Sequence, residues 1–255
     1  MVKSGKRSVL ITGASGGVGR GIALACGEAG WNVWIAARRA AEGEAVAKEV
    51  TDAGGTGHFV SCDVTDESSV ADALATVVAT DGKLDGAVHN ATSDLSATKH
   101  AVLPDFTIGE IRHQMAVSMR GSYLLAHLAY PHLKESRGAL LLLTSEAGFE
   151  GKAKLPVYAS VKAAQRGFGR ALAREWGPEG IRVNCLAPLA TTPALDVAFV
   201  NDPSMKARVM GRNPLGRLGD PMQDIGRAAR FLLSEDSAYV TGHTLMADGG
   251  SCPVT

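Results

Sequence analysis

Short apolar and β-branched runs alternate along the chain with longer segments of helical period. SVLIT (8–12), NVWIAA (32–37), HFVSC (58–62), LDGAVH (84–89), ALLLLT (139–144), IRVNCLA (181–187) and HTLMA (243–247) each read as a strand. Most are apolar on both faces, as a parallel sheet covered by helices requires. Between them, AEGEAVAKEVTDA, DESSVADALATVVAT, a long pattern from about Thr107 to Lys134 and another from Pro156 to Trp176 read as helices. Pro156 suits the first turn of the last of these, and Gly177-Pro178 ends it. Strict alternation predicts right-handed βαβ crossovers and a doubly wound α/β fold, a parallel seven-stranded sheet with helices on both faces. No linker or repeat interrupts the pattern, so residues 1–255 are expected to form one domain.

One region breaks the rhythm. From Leu189 to Leu218 the chain runs LATTPALDVAFVNDPSMKARVMGRNPLGRL, with three prolines and weak periodicity. A connection this long inside a compact domain is expected to be a lid or binding segment, and residues 189–218 are assigned to a substrate lid. Leu195, Phe199, Met205 and Met210 would form its apolar side or pack locally.

Directly after the first strand comes TGASGGVGRGIALA, with Gly13, Gly17 and Gly19 spaced G-x-x-x-G-x-G and leading into a helix. Gly13 would permit the sharp turn, Gly17 would let the backbone approach a pyrophosphate, and Gly19 would allow close helix–strand packing. The helix N-terminus adds free N–H groups and the positive end of its dipole, so this segment is expected to bind a dinucleotide.

Charge and composition narrow the partners. Lys+Arg and Asp+Glu both number 26, giving zero formal net charge and no block of like sign, which argues against nucleic acid. Cys26, Cys62, Cys185 and Cys252 are scattered, without C-x-x-C spacing or the density of a secreted framework. Buried, reduced thiols in a cytoplasmic protein are expected. His127 and His132 lie five apart, and no His/Cys cluster has metal-site spacing. The apolar run after the basic N-terminus is too short for a signal core, and no segment is long enough to span a bilayer.

In VYASVK, Tyr158 and Lys162 lie four apart, one helical turn, and therefore on one face. Together with the N-terminal G-x-x-x-G-x-G, this Y-x-x-x-K after the fifth strand resembles the short-chain dehydrogenase/reductase family, whose domain is a Rossmann fold. The resemblance covers essentially the whole chain. Ser145 lies thirteen residues before Tyr158, the spacing of the family's catalytic serine. Asp63 in CDVTD matches its adenine-contacting Asp, HNA at 89–91 its N-N-A-G, and TGHTLMADGG its C-terminal signature. The resemblance implies an oxidoreductase that moves a hydride between a nicotinamide dinucleotide and a carbonyl or secondary alcohol. Tyr158 would be the acid/base, Ser145 would hold the substrate oxygen, and Lys162 would bind the nicotinamide ribose. A free tyrosine, with a pKa of about 10, is a poor base at neutral pH, and Lys162 with the oxidised ring is expected to favour the phenolate. Further cofactor contacts carried over are Ser15, Val18, Val64, Asn90, Pro188 and Thr191. A homotetramer using the two long helices and the C-terminal strand region is also implied.

Cofactor choice turns on the end of the second strand. An NAD-selective site places an acid there to bind the ribose diol, but AARRAA offers none between Gly30 and Glu42. Arg38, with Arg39 beside it, would pair with a 2′-phosphate, so NADP(H) is favoured over NAD(H). The extra basic residue that the family places in the glycine turn is replaced by Gly16.

Other departures bear on the site. The Asn that the family carries in its long fourth helix, three residues before Gly121, is Ser118, and the glycine of N-A-G is Thr92. The family's P-G after strand six is Pro188-Leu189. Ser118 is expected to replace the Asn in the proton relay to Lys162. The alternatives are a nucleotide-binding regulatory or scaffold protein of the same fold with little turnover, and an NAD-dependent alcohol dehydrogenase.

Overall fold

All seven predicted strands are present in the computed structural model, which describes residues 5–252. Residues 1–4 and 253–255 of the expected 1–255 span, including the first basic residue Lys3, lie outside the described residues. The strands are β1 (Ser8–Thr12), β2 (Asn32–Ala37), β3 (Thr56–Ser61), β4 (Gly86–His89), β5 (Ala139–Leu143), β6 (Arg182–Pro188) and β7 (Thr244–Ala247). They form one sheet in the order β3-β2-β1-β4-β5-β6-β7, and every pairing is parallel.

Side chains along each strand alternate between the two faces, so each face needs its own apolar cover. Leu10 of β1 belongs to one buried cluster, shared with Val77, Leu125 and Trp176. Val9 and Ile11 belong to the other, shared with Ile22, Val50 and Leu232. The first cluster is covered by α3 (Glu67–Asp81), α6 (Gly121–Ser136) and α8 (Pro156–Trp176), which follow the one-turn helix α4 (Leu95–Thr98), α5 (Ile108–Gln114) and the one-turn helix α7 (Ala147–Glu150). The second is covered by α1 (Gly17–Glu28) and α2 (Ala40–Asp52), and by a helix near the C-terminus.

Three segments differ from the expectation. The pattern from Thr107 to Lys134 is not one helix, because a π-helical turn, Met115–Arg120, separates α5 from α6. The 189–218 connection holds two helices, α9 (Pro193–Asn201) and α10 (Pro203–Gly211). Each starts on a proline after a residue whose side chain accepts a first-turn N–H: Thr192 from Leu195 and Asp202 from Ser204. Leu195, Phe199, Met205 and Met210 are all half-buried, and α9 packs on α4. Finally, α11 (Arg227–Leu233), entered through a π-helical turn at Pro221–Gly226, completes the second layer.

Candidate active site

The order of the sheet reverses between β1 and β4, and the crevice at their C-terminal ends is the binding position of doubly wound sheets. Gly13 turns the chain there with φ +65°, and a Cβ on it would lie 2.8 Å from the Ala91 Cα. Only glycine fits both the dihedral and the approach. Asn90 holds this turn from the β4 side. Its Nδ2 donates to the carbonyls of Thr12 (3.1 Å) and Gly13 (3.0 Å), and its backbone N–H donates to Thr12 Oγ1 (3.1 Å). Helix α1 starts at Gly17 with Gly16 at its N-cap, no capping side chain and no acid in the first turn. Its first N–H groups are left for a ligand, and the dipole favours an anion. Gly17 also has positive φ, and a Cβ there would occupy the gap facing Thr192, 3.8 Å away. Donors without a competing carboxylate, beside a gap that only glycine leaves open, fit a pyrophosphate.

At the second strand, β2 ends on the buried Ala37, with no carboxylate at that place. Arg39 reaches back to the glycine turn, its Nη2 donating to Ser15 Oγ at 3.0 Å while Nη1 pairs with Glu42 at 3.1 Å. Arg38 is exposed and near Asp63. Burial alone would raise the Asp63 pKa, but hydrogen bonds from Thr65 and the charges of Arg38 and His113 hold it below the usual carboxylate range. Asp63 Oδ1 accepts from Thr65 N (2.9 Å) and Thr65 Oγ1 (2.8 Å). Val64 is buried in the first core cluster, whereas Val18 is half-buried against the second. Pro188 closes β6, and Thr191 N–H donates to the Gly219 carbonyl at 2.9 Å. The threonine facing Gly17 is its neighbour Thr192, which the sequence reading did not select.

Across the crevice, α8 presents Tyr158 and Lys162 one turn apart. Lys162 is 3% exposed, and its Nζ donates to the Leu143 carbonyl at 2.6 Å and lies 5.7 Å from the centre of the Tyr158 ring. Burial lowers the lysine's pKa to about 8. Tyr158 is pushed up to about 12, first by burial and then by the Glu146 charge; a hydrogen bond donated to it by Ser145 would act the other way. The phenol is thus held up rather than depressed as expected from Lys162, whose ammonium is turned to the Leu143 carbonyl. Ser145 follows β5 and is itself buried; its Oγ donates to Glu146 Oε2 at 2.7 Å and accepts from Ala147 N–H at 3.2 Å. Lys152 pairs with the other Glu146 oxygen. Neither Glu146 nor Lys152 was selected from the sequence, although an acid directly after the serine is a legible signal.

The comparisons with known proteins agree with this geometry. A family model described as "Enoyl-(Acyl carrier protein) reductase" matches residues 13–252. The chain belongs to the short-chain dehydrogenase/reductase family. It is 35% identical over 247 residues to L-fucose dehydrogenase from Oryctolagus cuniculus, covering 95% of this chain and 84% of that one. It is 33% identical to the 3-oxoacyl-[acyl-carrier-protein] reductase of Aggregatibacter actinomycetemcomitans, covering 96% and 99%. Among solved structures, 3-ketoacyl-(acyl-carrier-protein) reductase from Brucella melitensis complexed with NADH superposes with a TM-score of 0.86 at 31% identity, covering 97% of this chain and 98% of that one. As a short-chain dehydrogenase/reductase, the protein is an oxidoreductase that uses a nicotinamide cofactor. No helix among the described residues is long and apolar enough to cross a membrane, and no group of His, Cys, Asp or Glu among them could hold a metal ion.

Two departures from the family pattern touch each other. Ser118 Oγ, buried on the π-helical turn, meets Thr92 Oγ1 at 3.4 Å. The carbonyl of Ser118 accepts from Gln165 Nε2 (3.1 Å) and Ser122 Oγ (2.7 Å). A serine in place of the longer Asn leaves room for a threonine in place of glycine. Ser118→Asn alone is expected to crowd Thr92, and adding Thr92→Gly to restore the space. Denaturant unfolding of the four proteins should then give a coupling of about 0.5–3 kcal/mol, whereas additive effects would mean the contact couples nothing.

Proposed function

We propose that the protein is an NADP(H)-dependent carbonyl reductase or alcohol dehydrogenase in which Tyr158 is the acid/base. The observation that carries this reading is the meeting of Tyr158 with the buried Lys162 and with Ser145 across the crevice from the glycine turn. When bound, the nicotinamide ring supplies or accepts the hydride. Ser145 holds the substrate oxygen. In reduction the Tyr158 O–H bond breaks and its proton goes to the substrate oxygen as the carbonyl carbon gains the hydride, leaving a phenolate. In oxidation the phenolate takes the hydroxyl proton as the carbon loses the hydride. Lys162 holds the nicotinamide ribose hydroxyls, and its ammonium favours the phenolate as that charge forms. The 189–218 segment covers the substrate, with α9 against α4 as its inner contact. Tyr158→Phe should keep the fold and cofactor binding but lower turnover at least about a hundredfold, the scale of a general acid–base group. Near-normal turnover would remove Tyr158 from the role.

NADP(H) is preferred on this reading because β2 ends without an acid and Arg38 is exposed beside it. Arg38→Asp should raise the KM for NADPH by about tenfold or more, the value of a charge-assisted bond, and relatively favour NADH. A wild type that already prefers NADH would overturn the preference.

We further propose a cytoplasmic homotetramer. All four cysteines are free and buried, and burial raises each thiol's pKa to about 11 or 12, as suits inert reduced thiols. On α8, Ala163, Ala164, Gly167 and Ala171 make an exposed strip of small residues, whereas Ala159 and Gly169 are buried. Beside it lie the exposed Ile108, Met115 and Tyr123, the last packed edge-on to Phe168 at 4.4 Å. Light scattering at micromolar concentration should give a tetramer's mass; a monomer's would reject this assembly.

A further inference from the structure

The carboxylate beside Ser145 has no part in the reaction as described above, yet it occupies the serine's only proton. A hydroxyl has one donor and two acceptor lone pairs. Ser145 Oγ donates to Glu146 Oε2 at 2.7 Å and accepts from Ala147 N–H at 3.2 Å, which leaves one lone pair. Through that lone pair Ser145 can only accept, so a bond between Ser145 and Tyr158 must use the proton of the phenol. We propose that Glu146 is a positioning residue: by taking the Ser145 proton it makes the serine an acceptor towards Tyr158 and keeps the phenol protonated until substrate arrives and the serine turns that proton to the substrate oxygen. This rests on the reading of Tyr158 as the acid/base.

The surroundings support it. The Glu146 side chain is 19% exposed and paired with Lys152, so its charge is only partly screened by solvent and by its partner. Arg212 and Cys252 also act within its field, from the end of α10 and from the C-terminal segment. Tyr158 itself feels Glu146, Ser145 and, 5.7 Å from its ring, the Lys162 ammonium. Cys185 of β6 faces Lys162 from the sheet, and Lys162 in turn acts on His89 of β4; burial and the lysine's charge keep His89 neutral, at about 3, and burial keeps the Cys185 thiol protonated. Among these groups Glu146 is the one whose charge opposes the phenolate, adding to the larger effect of burial.

An enzyme cannot move the overall equilibrium of its reaction, so the signature lies in the protonation of Tyr158 and in pH profiles. The first readout needs no turnover: tyrosinate absorbance during alkaline titration of the ligand-free protein, taken as the difference from the matching Tyr158→Phe protein. Glu146→Gln should lower the Tyr158 midpoint by about one pH unit or more, because a like charge is removed and the serine proton released. If wild-type Tyr158 does not ionise before alkaline unfolding, the variant should do so. The second readout is the pH at which kcat/KM for an alcohol rises, with oxidised cofactor saturating. That pH should move down in Glu146→Gln and up in Lys152→Gln, which unmasks the carboxylate. Indistinguishable titrations of wild type and Glu146→Gln, or shifts of the same sign in the two variants, would overturn the proposal. Normal turnover in Tyr158→Phe would instead overturn the acid/base role, while the titration would still decide whether Glu146 governs the phenol.

Discussion

Asn90 joins the two halves of this protein at the point where they part. Strands run outward from β1 in one direction and from β4 in the other, and helices cross on opposite faces. The β1–β4 ladder stops at Ile11 and Val88, and beyond it the Asn90 amide donates to the carbonyls of Thr12 and Gly13. The glycine turn can therefore stay open to a ligand without losing its shape. The carbonyls of Thr12 and Gly13 are satisfied from the β4 side and the Gly13 N–H by the Ala36 carbonyl, so the N–H groups left open are those at the start of α1.

Electrostatics in the crevice are decided by burial before they are decided by pairs. Lys162, His89 and Tyr158 are each shifted first by desolvation, and each in the direction that favours the neutral form. A lysine one turn from a tyrosine does not by itself make a phenolate. Here its ammonium is directed to the Leu143 carbonyl, and the Glu146 charge acts against the phenolate. The positive charge brought by an oxidised nicotinamide is the contribution that the ligand-free protein lacks.

The strands were legible in the sequence because residues buried on both faces leave uninterrupted apolar runs. Only β3 was placed late, since its first residues, Thr56 and Gly57, carry no apolar signal. The glycine turn and the Tyr158–Lys162 pair were legible because their spacing is local. Helices α9 and α10 were missed although Thr192-Pro193 and Asp202-Pro203 announce their starts; exposed Val197 and Val200 beside half-buried Leu195 and Phe199 blurred the period. The Thr92–Ser118 contact and the Ser145–Glu146–Lys152 arrangement were not legible as contacts. Thr92 meets Ser118 through the packing of the fold, and Lys152 reaches Glu146 across a turn that no periodicity describes.

The widened turn at Met115–Arg120 amounts to one residue more than an α-helix needs. Here Val117, Ser118 and Met119 are all buried. The Ser118 carbonyl accepts from Gln165 of α8 and from Ser122, besides the Gly121 N–H of its own turn. Ser118 is thereby tied to α8, whose Gln165 holds the turn by its backbone carbonyl. One residue more in the turn rotates every position of α6 by about 100° relative to α5, so the single helix read from Thr107 to Lys134 presents two faces in place of one.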